Sequence, residues 1–224
     1  MGSLLLARHS ITAASAGGRN LGQSADPPLT EAGLALADRL AAAVGLELAA
    51  LAISELRLVT SPALRCRQTI AAIAEALGHP NDRVIAEPGL LEIDYGRWEG
   101  LAPEECTAQD PALRAAWDED PYGTAAPGGE SGADVAARAF PVFDRLEAWL
   151  AGDRGRCAVV VAHNHVNRLR LCALLAWPMR EYRRRVTQDP AGYSLLTFTG
   201  DLPVVRRVNA PAGLPEEGPE LPPV

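Results

Sequence analysis

Two histidines, two arginines and one carboxylate stand where short apolar or extended runs of this sequence end. Arg8 and His9 follow Leu4-Leu5-Leu6-Ala7, and Ser61, with Arg65 one helical turn on, follows Arg57–Thr60. Glu92 closes an extended segment that starts at Val84, and His163 and Asn164 follow Cys157-Ala158-Val159-Val160-Val161-Ala162. In a sheet covered by helices, ligands bind beyond the carboxyl ends of the strands, so separate segments would deliver all of these side chains to one edge. The set suits a phosphate monoester. Guanidinium groups fork onto phosphoryl oxygens with charge-assisted bonds. Helices opening after Ser61 and at Asn164 would aim free N–H groups at the same place. One imidazole could attack phosphorus while the other supports the developing charge, and a carboxylic acid nearby would protonate the leaving oxygen. Phosphoryl transfer asks mainly for positioning and charge neutralisation, and these residues supply both without a metal or other cofactor.

The elements that must hold this set are legible in outline. Leu4–Ala7 and Cys157–Ala162 are continuous apolar runs, as in strands buried on both faces. Thr30 reads as the N-cap of a helix from Glu31 to Val44 that stops at Gly45. Ser61-Pro62 reads as the start of a helix running to Leu77, a capping hydroxyl followed by proline at the first helical position. Short helices are expected near Pro103 and Pro111, a long one over Ala133–Leu150, and another from His165 to Ala176 capped by Asn164. Ser194–Phe198 and Val204–Val208 complete the strands. Strands alternating with helices predict an α/β fold of three layers, α/β/α, with a mostly parallel central sheet. Residues 1–208 read as one domain with an irregular, lid-like insertion at about 94–132. Residues 209–224, with five prolines and three glutamates, read as a flexible tail.

Composition bounds the partners. Lys+Arg 21 against Asp+Glu 28 leaves a net charge of -7, which excludes a broad nucleic-acid footprint and leaves any anion to a few focused arginines. No apolar stretch is long enough to span a membrane. Cys66, Cys106, Cys157 and Cys172 form no C-x-x-C pair, as in a reduced, cytoplasmic protein, and read as inert thiols. The expected partner is a small phosphorylated substrate, with neither nucleic acid nor membrane, and the sequence is compatible with a homodimer.

The motifs also occur in an order that is informative. Arg8-His9 after an apolar strand, then Arg19, Pro28-Leu29-Thr30 and Gly33, resembles the opening signature of the histidine phosphatase (phosphoglycerate-mutase-like) superfamily. Ser61-Pro62-Ala63-Leu64-Arg65-Cys66-Arg67-Gln68-Thr69 resembles its second motif, and Leu91 to Gly100, followed by Gly129-Glu130-Ser131, its third. Val159 to Arg168 resembles its fourth. The resemblance implies a phosphoglycerate-mutase-like fold and a phosphatase acting through a phosphohistidine. It makes His9 the nucleophile, Arg8, Arg65 and His163 the phosphate pocket, and Glu92 the proton donor, with Asp94 and Glu99 as fallback donors. Arg19 falls where members contact phosphate or substrate. The charge neutralisation a divalent ion would supply falls to Arg8, Arg65 and a protonated His163. Ser10 stands in place of a usual glycine, Ser15 in place of a frequent asparagine, and Asn164 in place of another glycine. These changes bear on substrate fit, and Ser15 and Asn164 join the substrate-binding candidates.

Other residues read more plainly. His79 is a loop histidine. A metal site built on His163, His165, His9 and Glu92 is disfavoured, because the arginines beside them would repel a cation. Arg183-Arg184-Arg185 reads as a solvated or ion-paired face, and Trp98, Trp117 and Trp149 as packing residues, with Trp117 and Tyr122 open to a role in covering the pocket. Two rivals stand beside a metal-independent phosphomonoesterase. One is phosphoglycerate mutase-type transfer, against which Ile93-Asp94-Tyr95-Gly96 replaces the Arg-His-Tyr-Gly run typical of mutases. The other is a non-catalytic phospholigand-binding domain, which would need neither His9 nor Glu92.

Overall fold

The computed structural model describes residues 2–198 and 203–213. In chain order the elements are β1 (Gly2–Arg8), the single-turn α1 (Ala13–Ala16), α2 (Glu31–Ala49), β2 (Glu55–Thr60), α3 (Leu64–Ala76), β3 (Ile85–Ala86), α4 (Pro103–Gln109), α5 (Pro111–Glu119), α6 (Gly132–Ala151), β4 (Arg156–Ala162), α7 (Asn164–Leu174), α8 (Tyr182–Arg185), β5 (Tyr193–Phe198) and β6 (Pro203–Ala210). The strands form one sheet in the order β3-β2-β4-β1-β5-β6. Neighbours from β3 through β1 run parallel, while β5 and β6 are antiparallel.

Side chains of a strand point alternately to the two faces, and here each face meets its own helical layer. Leu4 and Leu6 of β1 join Val160 of β4 and Phe143 and Leu146 of α6 in one core. Leu5 and Ala7 join Val159 and Val161 with Leu40 of α2 and Ile70 of α3 in the other. Both Leu5 and Leu6 are fully buried, each burial favouring the fold by roughly 1.5–3 kcal/mol. The three-layer, mostly parallel α/β/α arrangement expected from the sequence is the one observed. Among the described residues no helix is long and apolar enough to cross a membrane.

Several boundaries differ from expectation for identifiable reasons. Thr30 caps α2 as expected, its hydroxyl accepting from the Gly33 amide at 3.0 Å. The helix nevertheless runs through Gly45 to Ala49, because Val44 and Leu48 are buried and good helix formers follow. Helix α3 starts at Leu64, beyond Ser61-Pro62, and its first amide is held by the Asp26 carboxylate at 2.8 Å. The Val84–Glu92 segment is extended only at Ile85–Ala86 and then turns through a 3-10 helix at Pro88–Leu90. His163, not Asn164, is the N-cap residue of α7. Of the expected tail, Asn209 and Ala210 finish β6, and residues 214–224 lie outside the described residues.

Candidate active site

The ladder between β1 and β4 sets the site's centre. Arg8 pairs in register with Ala162, and the His9 amide extends the ladder by donating to the Ala162 carbonyl at 2.9 Å. The next residues, His9 and His163, are thereby brought side by side, with ring centroids 5.3 Å apart. His9 Nδ1 lies 2.7 Å from the Ser10 carbonyl oxygen. A carbonyl only accepts, so Nδ1 carries the hydrogen and Nε2 keeps its lone pair. Burial, with Arg8 and Arg65 close by, pushes the His9 pKa well below the ordinary histidine range, so the ring is neutral.

His163 is fully buried, with Nε2 at 2.8 Å from the Ser61 hydroxyl and 3.4 Å from Cys66 Sγ. Burial and the Arg65 charge push its pKa well down too. The expected protonated His163 is therefore not the state of the free protein. Ser61, expected to cap a helix, places its hydroxyl 2.8 Å from this ring and accepts only a long bond of 3.4 Å from the Ala63 amide ahead of α3, and Cys66, whose thiol burial pushes up, is an inert neighbour.

Each arginine is held by one edge. Arg65, 1% exposed, donates to the Gly22 carbonyl at 2.9 Å and lies 3.7 Å from Asp26. Gly22 must be small here, since a Cβ would stand 2.6 Å from the Ile93 carbonyl oxygen. Arg8 donates to the Gln188 carbonyl at 2.6 Å. The Nε atoms of both arginines are buried without a partner. Buried N–H groups in that condition are costly unless an acceptor reaches them, and a phosphoryl oxygen is such an acceptor.

Glu92 is 4% exposed and accepts from the Ile93 amide at 2.9 Å and, more loosely, from the His165 amide. Burial raises its pKa, only partly offset by those amides and by the charge of Arg65 and Arg8. It is a carboxyl prepared to carry a proton. Its loop is clamped by Arg138 of α6, which donates to the carbonyls of Leu91 at 2.6 Å and Glu92 at 2.9 Å and grips Glu130 with two bonds of 2.8 Å. Nothing in the sequence around Arg138 marks it for this role. The Gly129-Glu130-Ser131 motif was the available signal, since its carboxylate is what aims Arg138.

A cavity of about 240 Å³ opens on this group, lined by Arg8, His9, Glu92, Ser15, Arg19 and Asn164 together with Tyr95, His165 and Arg183. Arg65 borders the adjoining hollow beside Gly22 and Asp26. The three substrate-binding candidates are thus at the wall, but two are already engaged. Ser15 exchanges hydrogen bonds with Thr12 in the capping box of α1, and Arg19 bonds the Gly100 carbonyl at 2.7 Å and Glu105 at 2.8 Å. Asn164 is different, with a buried Oδ1 that has no partner. Ser10, the glycine replacement, ties the turn to α2 by donating to the Gly33 carbonyl at 2.7 Å.

His165 has both ring nitrogens occupied, by the hydroxyls of Tyr95 at 2.7 Å and Tyr182 at 2.6 Å. Among the described residues no group of three or more His, Cys, Asp or Glu is placed to hold a metal ion. Asp94 caps the Gly96 amide and Glu99 the amides of Gly22 and Gln23, so the fallback donors serve loops outside the cavity lining. His79 sits in an exposed loop, as expected. Arg184 and Arg185 are ion-paired with Glu119 and Glu181. Trp98 and Trp117 are buried packing residues. A wider groove of about 510 Å³ runs between α2 and β6, but its one carboxylate, Glu47, already binds Tyr193 and Arg207.

Residues 4–211 match the histidine phosphatase superfamily (branch 1). The chain is 31% identical over 220 residues to phosphoserine phosphatase 1 of Hydrogenobacter thermophilus, covering 96% of each. It is 34% identical over 185 residues to the glucosyl-3-phosphoglycerate phosphatase of Mycobacterium tuberculosis, covering 80% of this chain and 78% of that one. The solved structure of a mycobacterial glucosyl-3-phosphoglycerate phosphatase with VO3 superposes with a TM-score of 0.78 at 30% identity, over 93% of this chain and 98% of that one.

Proposed function

The chain belongs to the histidine phosphatase superfamily, and from that premise we propose that it hydrolyses a small phosphorylated metabolite through a phosphohistidine on His9, without a metal. The observation that carries this reading is the neutral, buried His9 whose Nε2 is bare, set between two arginines with unpartnered Nε atoms. The phosphatase relatives support it.

In this mechanism the phosphoryl oxygens take the free edges of Arg8 and Arg65, with His163 beside them. His9 Nε2 forms the bond to phosphorus as the bond to the ester oxygen breaks, and the growing imidazolium is stabilised through Nδ1–H on the Ser10 carbonyl. Glu92 gives its proton to the departing alkoxide. The same group, now a carboxylate, takes a proton from water as that water attacks phosphorus, which frees His9 and releases phosphate. A phosphoryl dianion next to His163 raises its pKa, so protonation of that ring belongs to the loaded pocket. Residues 94–132 act as a cover in the same reading, which the position of Tyr95 and Pro103 in the cavity wall supports.

The test is a panel of phosphorylated metabolites offered to purified protein with EDTA present, followed by acid and base quenching with labelled substrate. Hydrolysis that survives the chelator, with base-stable and acid-labile label absent from His9→Ala, is the expected result. Label retained on His9→Ala removes the nucleophile assignment, and activity restored only by added metal removes the metal-free part.

A further inference from the structure

We propose that His165 is a positioning residue: locked by Tyr182 as its Nε2–H tautomer, it turns the hydroxyl hydrogen of Tyr95 into the cavity, where that hydrogen bonds a phosphoryl oxygen; this rests on the phosphatase reading above. The three side chains form one hydrogen-bonded chain from the core to the cavity wall. Tyr182, on the single-turn α8, is fully buried, and its hydroxyl lies 2.6 Å from His165 Nδ1. His165, in the first turn of α7, has Nε2 at 2.7 Å from the Tyr95 hydroxyl. Each tyrosine ring meets the imidazole edge to face with centroids 5.5 Å apart, so the imidazole cannot turn over without displacing both. Tyr95 and His165 line the cavity with Arg8, His9 and Glu92, whereas Tyr182 stays behind the wall.

Counting hydrogens fixes the direction of the chain. Burial, with the charges of Arg183, Arg168 and Arg8, pushes the His165 pKa well below its ordinary value, so the ring has one N–H and one lone pair. Burial, with the nearby Glu92 charge, raises the pKa of Tyr95, and burial raises that of Tyr182, so both phenols keep their hydrogens. Three hydrogens serve two bonds, and one is left over. Were the imidazole hydrogen on Nδ1, the spare would be the O–H of Tyr182, in the core, with no second acceptor among the described residues. A buried donor in that condition gives up its hydration and gains nothing. With the hydrogen on Nε2, Tyr182 donates to Nδ1 and Nε2–H donates to the Tyr95 oxygen. The spare hydrogen is then the one on Tyr95, at the wall, where a ligand can accept it.

That polarity suits a phosphoryl group in particular. The oxygens of a phosphomonoester dianion only accept, and a freely turning hydroxyl could face them with its lone pairs. A locked one cannot. An alcohol hydroxyl on the substrate would take either polarity and would need no lock. The charges of Arg8 and Glu92 are both felt at the Tyr95 phenol, which puts it beside the groups assigned to the phosphoryl and leaving oxygens.

Histidine-selective 15N NMR of the wild type reads the tautomer directly, with the His165 signals assigned by their loss in His165→Gln. One proton on Nε2 and a bare Nδ1 are expected; a proton on Nδ1, or on both nitrogens, overturns the lock. Calorimetric titration with inorganic phosphate reads its consequence. Tyr95→Phe and His165→Phe should each weaken binding by about tenfold, the scale of one hydrogen bond to a charged group. The double variant should be no weaker than either single one, because both act through one hydrogen. His165→Gln, whose amide keeps one acceptor and one donor end, should recover part of the affinity. Additive losses overturn the positioning role. Phosphate affinity that is absent in the wild type, or unchanged in Tyr95→Phe, overturns the phosphoryl contact. Tyr95→Phe should also lower kcat/KM alike on para-nitrophenyl phosphate and an alkyl phosphate, and a loss confined to the alkyl ester overturns that contact too. If His165→Phe does not fold, the wild-type tautomer and Tyr95→Phe still decide. If no ester is hydrolysed, the phosphatase reading fails by itself, and the tautomer and phosphate affinity decide the lock separately.

Discussion

His9 and His163 stand edge to face, ring centroids 5.3 Å apart and planes at 64°, each one residue beyond the last register pair of β1 and β4. They cannot exchange roles, because their ring nitrogens are fixed by different partners, the Ser10 carbonyl for one and the Ser61 hydroxyl for the other. His163→Ala should therefore still accept label from substrate on His9, but about 10²–10³-fold more slowly, the scale of losing one group that stabilises transition-state charge. Rapid-quench labelling measures this. Unchanged labelling would remove His163 from the pocket's work.

Glu92→Gln separates proton donation from phosphate binding. On an alkyl phosphate the loss should be about 10²–10⁴-fold, the range for general acid catalysis. On para-nitrophenyl phosphate, whose phenolate leaves unprotonated, it should be far smaller. Arg65→Ala should damage both substrates alike, since in the proposed mechanism it holds the phosphoryl group they share. Equal losses for Glu92→Gln would transfer the acid role to another residue.

The pH dependence of kcat/KM on an alkyl phosphate should be bell-shaped. His9 must be neutral to attack, and its depressed pKa places the acid limb below 6.5. Glu92 must carry its proton, and its raised pKa sets the alkaline limb above the ordinary value of 4.5. Glu92→Gln should abolish the alkaline limb and keep the acid one. A limb that persists belongs to a different group.

Stability should fall on mild acidification. His9, His163 and His165 all have pKa values pushed well below 6.5 by burial, so below pH 6.5 the unfolded chain takes up protons that the folded one refuses. Each adds a slope of about 1.4 kcal/mol per pH unit in that window, and the loss ends only below the folded-state values. Glu92 acts oppositely: the folded state holds its proton longer, so its contribution is lost as pH rises from 4.5 to its raised value. Three imidazoles outweigh one carboxyl. Urea unfolding at pH 7.0 and 5.5 should show the decrease, with a shallower one in His165→Gln; identical stabilities would mean that these rings are solvated.

Ser10→Ala should cost about 0.5–1.5 kcal/mol, the usual net value of one buried hydrogen bond, because it deletes the bond to the Gly33 carbonyl. Its kcat should stay near wild type, since the carbonyl that orients His9 is backbone. A large fall in kcat with unchanged stability would show that the hydroxyl itself serves the reaction.

The centre of this site was legible because it lies at strand ends, which an apolar run followed by a polar residue marks directly. Arg8, His9 and His163 fall there, and Arg65 follows within one turn. What could not be read depends on contacts between distant segments. Ser61-Pro62 has the local form of a helix start, yet Asp26 supplies the cap and the Ser61 hydroxyl turns to His163. Ser15 and Arg19 occupy family positions, but a capping box and Glu105 claim their polar atoms. Arg183 looks like one of three equivalent surface charges until Trp117, far away in sequence, is seen beneath it.

The ladder that aligns the histidines also dictates when they can meet. Strand β1 has β4 on one side and β5 on the other, so both of its hydrogen-bonding edges wait for residues 156–162 and 193–198. A ribosome adding about 5–20 residues per second needs about 8–30 s to get from the end of β1 to the end of β4. Through that interval a run of three leucines is exposed with no partner strand. The topology that builds the pocket thus delays completion of the sheet, and a fragment ending before β4 lacks the ladder that sets His9 beside His163.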